Sequence, residues 1–515
     1  MDTSSYWIDT GPLPTFPTLT SDLRVDVVVI GAGITGITAA YLLKRSGHSV
    51  ALLDRSRCAA GDTGYTTAHL TCVTDTRLQE LVKTFGEEGA KLTWEAGIAA
   101  IDQIYTNIRN EKIECDFKWV PGYLHAPLRR KDKKDRESLK RDAALANELG
   151  FSAEFLDEIP AFGLPGVCFD GQAKFHPRKY LAALLRTIPG DGSYVFEQTE
   201  VSEVQEEPLS VKAGDHKIEC RYVVLATHTP LMGKTGMVSA TLFQTKLYLY
   251  TSYALGAKIP QNLIPEASYW DIDDPYYYTR IEKFNGYDYA IFGGEDHKTG
   301  QGDPEKAYAE LKKVLLKMIP RAEIDHCWSG QVIETPDGLP YIGETAEKQF
   351  AATGFGGNGM TFGTLGGMMA VDAFLKRKNP WTELFSPNRK KIKGGAWDYI
   401  RENKDYPYYL VRDRVAGAES NSLDDLHPNE GKILKLKGQK VAAYRNPDGH
   451  VSLCSPVCTH LKCIVRWNDA EKTWDCPCHG SRFAPEGKVI AGPAEEDLQK
   501  LVFDAKSKKP VPVES

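Results

Sequence analysis

Five of the eleven cysteines, Cys454, Cys458, Cys463, Cys476 and Cys478, crowd into 25 positions near one end of a 515-residue chain. Two histidines fall among them, giving Cys458-Thr-His460, fifteen intervening residues, then Cys476-Pro-Cys-His479. Such density in a chain read as cytosolic points to metal before structural disulfides. Zinc sites usually present CxxC or HxxxH pairs, and this spacing matches neither. Two thiolates on one iron and two imidazoles on the other make the donor set of a two-iron, two-sulfide centre, the imidazoles raising its potential. Cys458, His460, Cys476 and His479 are the expected ligands. The other cysteines, Cys58, Cys72, Cys115, Cys168, Cys220 and Cys327, are scattered and read as reduced, mostly buried thiols.

The two loops, Cys458-Thr-His-Leu-Lys-Cys463 and Cys476-Pro-Cys-His-Gly-Ser481, resemble the Rieske [2Fe–2S] proteins of cytochrome bc complexes almost letter for letter. That resemblance implies a disulfide between Cys463 and Cys478 that clamps the loops, and a Ser481 hydroxyl donating to a bridging sulfide. The usual tyrosine two residues later is Phe483, and Lys462 stands where glycine is usual. With fewer donors to sulfur the reduced cluster is less stabilised, so a potential below the bc-type range is predicted. A mononuclear oxygenase iron would need two further histidines and a carboxylate on one face. The remaining ten histidines are too dispersed to suggest such a pair. A quinol-oxidising reading fails for want of a membrane anchor.

A second pattern lies at the other end. Gly31-Ala-Gly33-Ile-Thr-Gly36 follows the apolar run Val-Asp-Val-Val-Val-Ile30 and opens a helical stretch. Gly31 permits the tight turn, Gly33 lets backbone approach a pyrophosphate, and Gly36 lets helix and strand pack closely. The helix N-terminus offers N–H groups to phosphate. Asp54 closes the next apolar run and can accept from ribose hydroxyls. Val223-Val-Leu-Ala-Thr-His-Thr229, Thr335-Pro-Asp-Gly-Leu-Pro-Tyr-Ile-Gly343 and Ala352-Thr-Gly-Phe-Gly-Gly-Asn-Gly-Met360 resemble, in order and spacing, motifs of the D-amino-acid-oxidase-like family. That family includes glycine oxidase, sarcosine oxidase and dimethylglycine dehydrogenase. Over residues 24–390 the resemblance implies FAD, covalent or not, with substrate lying over the flavin on an antiparallel sheet. Its implied contacts are Gly31, Gly33, Gly36, Asp54, Arg55, Val201, Thr227, Gly354, Gly356, Gly357, Asn358, Gly359, Met360 and Thr361. The helix beginning near Thr361 would aim its positive end at the flavin edge that gains charge on reduction. Gly363, Gly366 and Gly367 read as packing positions.

In amino-acid oxidases of this family an arginine before the TPDG motif commonly binds the substrate carboxylate; here the matching place holds Val332. A simple α-amino acid is thereby put in doubt, unless Lys246, Arg280 or Lys298 substitutes. Tyr248, Tyr250, Tyr253, Tyr276, Tyr277 and Tyr278 lie in alternating strands, which send about half to one face. Together they suggest an apolar pocket with a few hydroxyls, suited to an amine. His297, in Gly293-Gly-Glu-Asp-His-Lys298, is the candidate base if one is needed. His69, after the second strand, either contacts or tethers the flavin or is a histidine satisfied by backbone.

These residues need a scaffold of α/β class. The patterns predict a two-dinucleotide-fold FAD domain over 24–395, with FAD-binding stretches about 24–80, 150–235 and 330–390 and an antiparallel substrate sheet about 240–330. An N-terminal extension (1–23) precedes it. A connector (396–425), a small all-β Rieske domain (426–505) and a basic tail (506–515) follow. The composition is that of an ordinary globular protein, 42% hydrophobic and 26% charged, with a net charge of −6 that argues against nucleic acid. The longest uncharged run, Phe350–Val371, holds seven glycines and reads as a loop and helix rather than a membrane span. The first 23 residues lack the charged and apolar regions of a signal peptide, so a cytoplasmic location is expected. The leading expectation is a flavin dehydrogenase that oxidises the C–N bond of a small amine or N-substituted amino acid. Its electrons pass through the cluster to an unidentified external acceptor. A redox sensor or carrier with no organic substrate, and a reductase with electrons running from cluster to flavin, are the alternatives.

Overall fold

The computed structural model describes residues 4–229, 246–389, 408, 409, 412, 417–503 and 509–513. The elements that position the site are, in chain order, β1 (Val27–Ile30), α1 (Ile34–Arg45), β2 (Val50–Leu53), β3 (His69–Leu70), β4 (Tyr222–Leu225), β5 (Tyr248–Ile259), β6 (Tyr278–Lys283), β7 (Asp288–Lys298), α2 (Pro304–Met318), β8 (Glu323–Glu334), β9 (Gln349–Thr353) and α3 (Gly359–Phe374).

β1, β2 and β4 are buried at every residue, as expected of strands covered on both faces. They lie in a six-stranded sheet ordered Tyr341–Ala346, β9, β4, β1, β2, Tyr194–Phe196, parallel except at the Tyr341–Ala346 edge. The chain leaves β1 for β2 on one side and later returns as β4 on the other. That reversal opens a crevice at the carboxyl ends of β1 and β4, where ligands of such sheets bind.

The second sheet runs β8, β5, β7, β6, Ser268–Asp271, Lys118–His125, Gly166–Lys174, β3. One face buries Tyr253, Leu255, Phe292 and Ala290 against Leu311 and Leu315 of α2. The other face carries Ala254, Tyr289 and Ile291 toward the main core. Ladder pairs between β5 and β7 run regularly from Ile259↔Asp288 to Tyr253↔Gly294, then resume at Thr251↔His297. Two residues, Glu295 and Asp296, thus oppose Ser252 alone: a β-bulge, with Glu295 in the left-handed region at φ 60°. Side-chain parity flips there. Unbroken alternation from Ile291 and Gly293 would send Glu295 and His297 to the main-core side; the bulge sends Asp296 instead.

The C-terminal unit is all β, as expected. Strands Glu430–Leu436, Gln439–Arg445, Val451–Cys454, Lys500–Phe503 and Pro510–Pro512 form one sheet. Arg466–Asn468, Thr473–Asp475, Arg482–Phe483 and Val489–Ala491 form another. Trp474 and Phe483, both 0% exposed, fill the space between them. The N-terminal segment is no loose arm. Trp7 is buried in the main core and its indole N–H donates to the Thr66 carbonyl at 2.6 Å. The expected connector lies largely outside the described residues, as do 506–508 and 514–515 of the expected basic tail; the rest of that tail is no free end, because Pro510–Pro512 pairs with Lys500–Phe503 as an edge strand. No helix among the described residues is long and apolar enough to cross a membrane.

Candidate functional site

A cavity of about 1120 Å³ starts at the glycine turn and ends beneath the C-terminal unit. Gly31, at φ +98°, lies so close to β4 that a Cβ would sit 2.7 Å from the Ala226 carbonyl oxygen. A Cβ on Gly36 would meet the Gly31 oxygen at 1.8 Å, so only glycine lets α1 start here. Asp54 accepts from the Ala32 N–H (2.9 Å) and the Ser56 N–H (2.8 Å), which ties the turn to the end of β2. Gly36 and Thr361 excepted, every expected FAD contact lines this cavity. Gly36 packs against the turn, and buried Thr361 donates to the Thr71 carbonyl at 3.0 Å. Gly363, Gly366 and Gly367 face Ile34, Ala352 and Thr38, where a Cβ would come within 2.7, 2.9 and 2.8 Å. A cradle of bare backbone at a helix N-terminus, with a carboxylate at the next strand end, fits a dinucleotide.

The facing wall comes from the second sheet. Tyr276 and Tyr278 line the cavity, whereas Tyr277 and Tyr253 are buried in the α2-side core. The Tyr278 ring lies across Gly293, where a Cβ would be 2.2 Å away, and its hydroxyl shares a 2.6 Å hydrogen bond with Ser252. Tyr276 donates to Asp75 Oδ1 at 3.2 Å, and Asp75 Oδ2 accepts the Gly357 N–H at 2.5 Å, which pins the tyrosine wall to the glycine loop. His69 meets Tyr278 edge-on at 5.7 Å. Burial, then the charge of Arg280, presses its pKa down to about 3, so the ring is neutral.

Asp296 lines the same wall, and its Oδ1 is buried with no hydrogen-bond partner among the described residues. Burial pushes its carboxyl up to about 7; Ser252 works against this, while Asp75, Glu295 and Asp274 add to it. The pattern of residues gives little hint of Asp296; the Gly293-Gly294 pair inside a strand is the one signal of a bulge. His297 is not brought to this cavity. Its ring stacks on Tyr253 at 5.3 Å and covers Gly302, on the α2 side of the sheet, because the bulge has turned it away.

Val332 does face the cavity. None of the three expected substitutes for an arginine there lines it. Lys246 sits over the Tyr341 ring. Arg280, fully buried, donates to the carbonyls of Ala68 (2.5 Å) and Phe175 (3.0 Å) and pairs with Glu282. It supports the His69 segment from behind.

In the C-terminal unit, Cys458 and Cys476 are buried with their thiols in hydrogen-bond contact, and the rings of His460 and His479 lie 4.9 Å apart. Both ring nitrogens of His460 are buried without a partner among the described residues, as a ligand awaiting metal would be. Cys463 and Cys478 are disulfide-bonded, with Cys476 Sγ within 4.8 Å of both sulfurs. The donor set fits a [2Fe–2S] cluster held by two thiolates and two imidazoles.

The sequence gives no sign of how the two parts meet. The Gln331 amide donates to the Gly480 carbonyl, beside His479, at 2.8 Å, and to Thr299 Oγ1 at 3.1 Å. Gln301 donates to the Pro477 carbonyl at 2.7 Å. A Cβ on Gly480 would stand 2.6 Å from Leu249 Cβ, and one on Gly300 would stand 2.8 Å from the Cys476 carbonyl carbon. Thr229 donates to the Gly492 carbonyl at 2.8 Å, and Arg55 to that of Ile490. Residues 490–496 and Arg482 thereby become cavity wall.

Residues 26–373 match the family described as FAD dependent oxidoreductase, and residues 418–502 match the Rieske [2Fe-2S] domain. The Rieske 2Fe-2S iron-sulfur protein YhfW of Bacillus subtilis is 33% identical over 97% of this chain and 98% of its own. Gamma-glutamylputrescine oxidoreductase of Escherichia coli is 23% identical over 72% of this chain and 88% of its own. Glycine oxidase from Geobacillus kaustophilus superposes with a TM-score of 0.61 at 17% identity, covering 72% of this chain and all of that one, which shows the fold.

Proposed function

The chain belongs to the FAD-dependent oxidoreductase family of the D-amino-acid-oxidase type and joins it to a Rieske [2Fe–2S] domain, and from that premise we propose that it is a dehydrogenase for the C–N bond of an amine or N-substituted amino acid, with the cluster relaying electrons to an external acceptor. Bound FAD supplies a two-electron acceptor and the cluster a one-electron outlet. An oxidase discharged by oxygen has no use for such an outlet. The observation that carries the reading is the docking of the cluster loop on β8. Gln331 holds Gly480 while its neighbour Val332 lines the cavity, so a single strand serves both sites. Tyr276 and Tyr278 form a partly desolvated aromatic wall that favours a neutral amine, the form a hydride can leave. The name of the Escherichia coli relative, which carries a putrescine unit, agrees with an amine.

The test is anaerobic addition of a panel of amines and N-methyl amino acids to the holoprotein, read by flavin absorbance and by electron paramagnetic resonance of the cluster. Flavin bleaching followed by the reduced-cluster signal supports the proposal. Bleaching with a silent cluster removes the relay, and bleaching only by a reductase partner reverses the direction.

A further inference from the structure

The cavity has a charge bias that the dehydrogenase reading leaves unused. Its wall includes two arginines, and both are engaged. Arg55 donates to the Ile490 carbonyl, and Arg482 lies between Glu471 (2.6 Å) and Asp475 (3.1 Å). Where a carboxylate-binding cation would stand there is Val332. The bulge at Glu295, by contrast, spends a left-handed non-glycine residue to aim Asp296 into the cavity, and such strain is kept where the surroundings enforce it. Asp296 Oδ1 has no donor there. Ser252 serves the carboxyl, but a buried carboxylate oxygen left without a donor costs stability unless something arrives to pair with it. Around it stand Ser252, Tyr276 and Tyr278, hydroxyls and ring faces of the kind that surround alkylammonium groups.

We propose, building on the dehydrogenase reading, that Asp296 anchors the ammonium group of the substrate, and that the substrate is an alkylamine with no carboxylate beside that nitrogen. An α-amino acid would set its carboxylate against Asp296 and Asp75, with both wall arginines among the described residues already engaged elsewhere. The ammonium supplies the donor that Oδ1 lacks, its alkyl chain lies against Val332 and the tyrosine rings, and passing one proton to the Asp296 carboxylate leaves the neutral amine from which hydride departs.

The probes are tert-butylamine and 2-aminoisobutyrate, neither of which has a hydrogen on the carbon bearing nitrogen, so both bind without being oxidised. Calorimetry on the FAD-loaded, cluster-loaded full chain should give tert-butylamine at least about tenfold tighter than 2-aminoisobutyrate. Asp296→Asn should weaken tert-butylamine by about tenfold or more, in line with removal of one partner of a desolvated charge pair. Asp296→Glu, keeping the charge, should recover most of that loss. Equal binding of the two probes by wild type, or no tert-butylamine binding, overturns the proposal without needing any variant to fold. So does an Asp296→Asn protein that binds tert-butylamine as wild type does. Bleaching by an α-amino acid with cluster reduction would sink this inference and leave the dehydrogenase standing. Bleaching by no amine or amino acid would sink the dehydrogenase, whatever the probes do.

Discussion

The cluster site and the amine cavity are held by different kinds of constraint. All four cluster ligands lie between Cys458 and His479, in two loops joined by the Cys463–Cys478 bond. Each loop also closes on itself, Cys458 N–H to the Cys463 carbonyl and Cys476 N–H to the Ser481 carbonyl, both at 2.8 Å. The cavity wall draws on Asp75, Ser252, Tyr278, Asp296, Val332 and Gly357, from six separate stretches of chain. Its aim depends on a bulge in β7, which turns Asp296 rather than Glu295 toward it. A locally built site answers to its own loops. A site built by strand register answers to residues that never touch its ligand, and Glu295, whose carboxylate pairs with Arg129 and Tyr277, is such a residue.

Substitutions within and outside the two sites can break this contrast. The largest effect belongs to Cys458→Ser or His479→Ala, which should abolish the low average-g resonance and the bound iron while FAD absorbance persists. The glycine turn and Asp54 lie entirely in the first domain. Loss of flavin along with iron would mean the two sites are not separately held. Next is deletion of Asp296. Closing the bulge then sets Glu295 opposite Ser252 on the cavity face, with its carboxylate one methylene longer and drawn away from Arg129 and Tyr277, and anaerobic flavin reduction by an amine should fall by about 100-fold, as for a misplaced reacting group. Iron content should stay unchanged, and an unaltered reduction rate would show that the placing of this carboxylate does not set the cavity. The smallest effect concerns Lys462, which holds φ 64° in a ligand loop. Lys462→Gly relieves that strain against a more flexible unfolded chain, for a net gain of roughly 0.5 kcal/mol in thermal unfolding. A clear loss would show that the lysine side chain contributes more than its backbone costs.

The same contrast governs what could be read from residues alone. The dinucleotide turn and the cluster loops are legible because their chemistry is written in spacings of a few residues, with glycine required by contacts as close as 1.8 Å at Gly36. Tyr276 and Tyr278 face the cavity and Tyr277 the α2-side core, a period-two split that extends two residues ahead of β6. Alternation fails one strand later, because a bulge is a property of a ladder and not of a sequence. His297 therefore takes the place in expectation that Asp296 holds in space. Arg280 misleads for a related reason: a buried guanidinium among carbonyls and an exposed one beside a substrate look alike until the partners are known. The contact of Gln331 with Gly480 joins segments 149 residues apart and has no local signature.

The wall contributed by residues 490–496 bears on how the flavin is kept as well as on how the molecule works. These residues stand over the stretch of cavity lined by Asp54, Arg55 and Val201, held there by Thr229 on Gly492 and Arg55 on Ile490. The second module is therefore part of what retains the first module's cofactor, and loosening those two contacts should hasten FAD loss although neither touches the cluster.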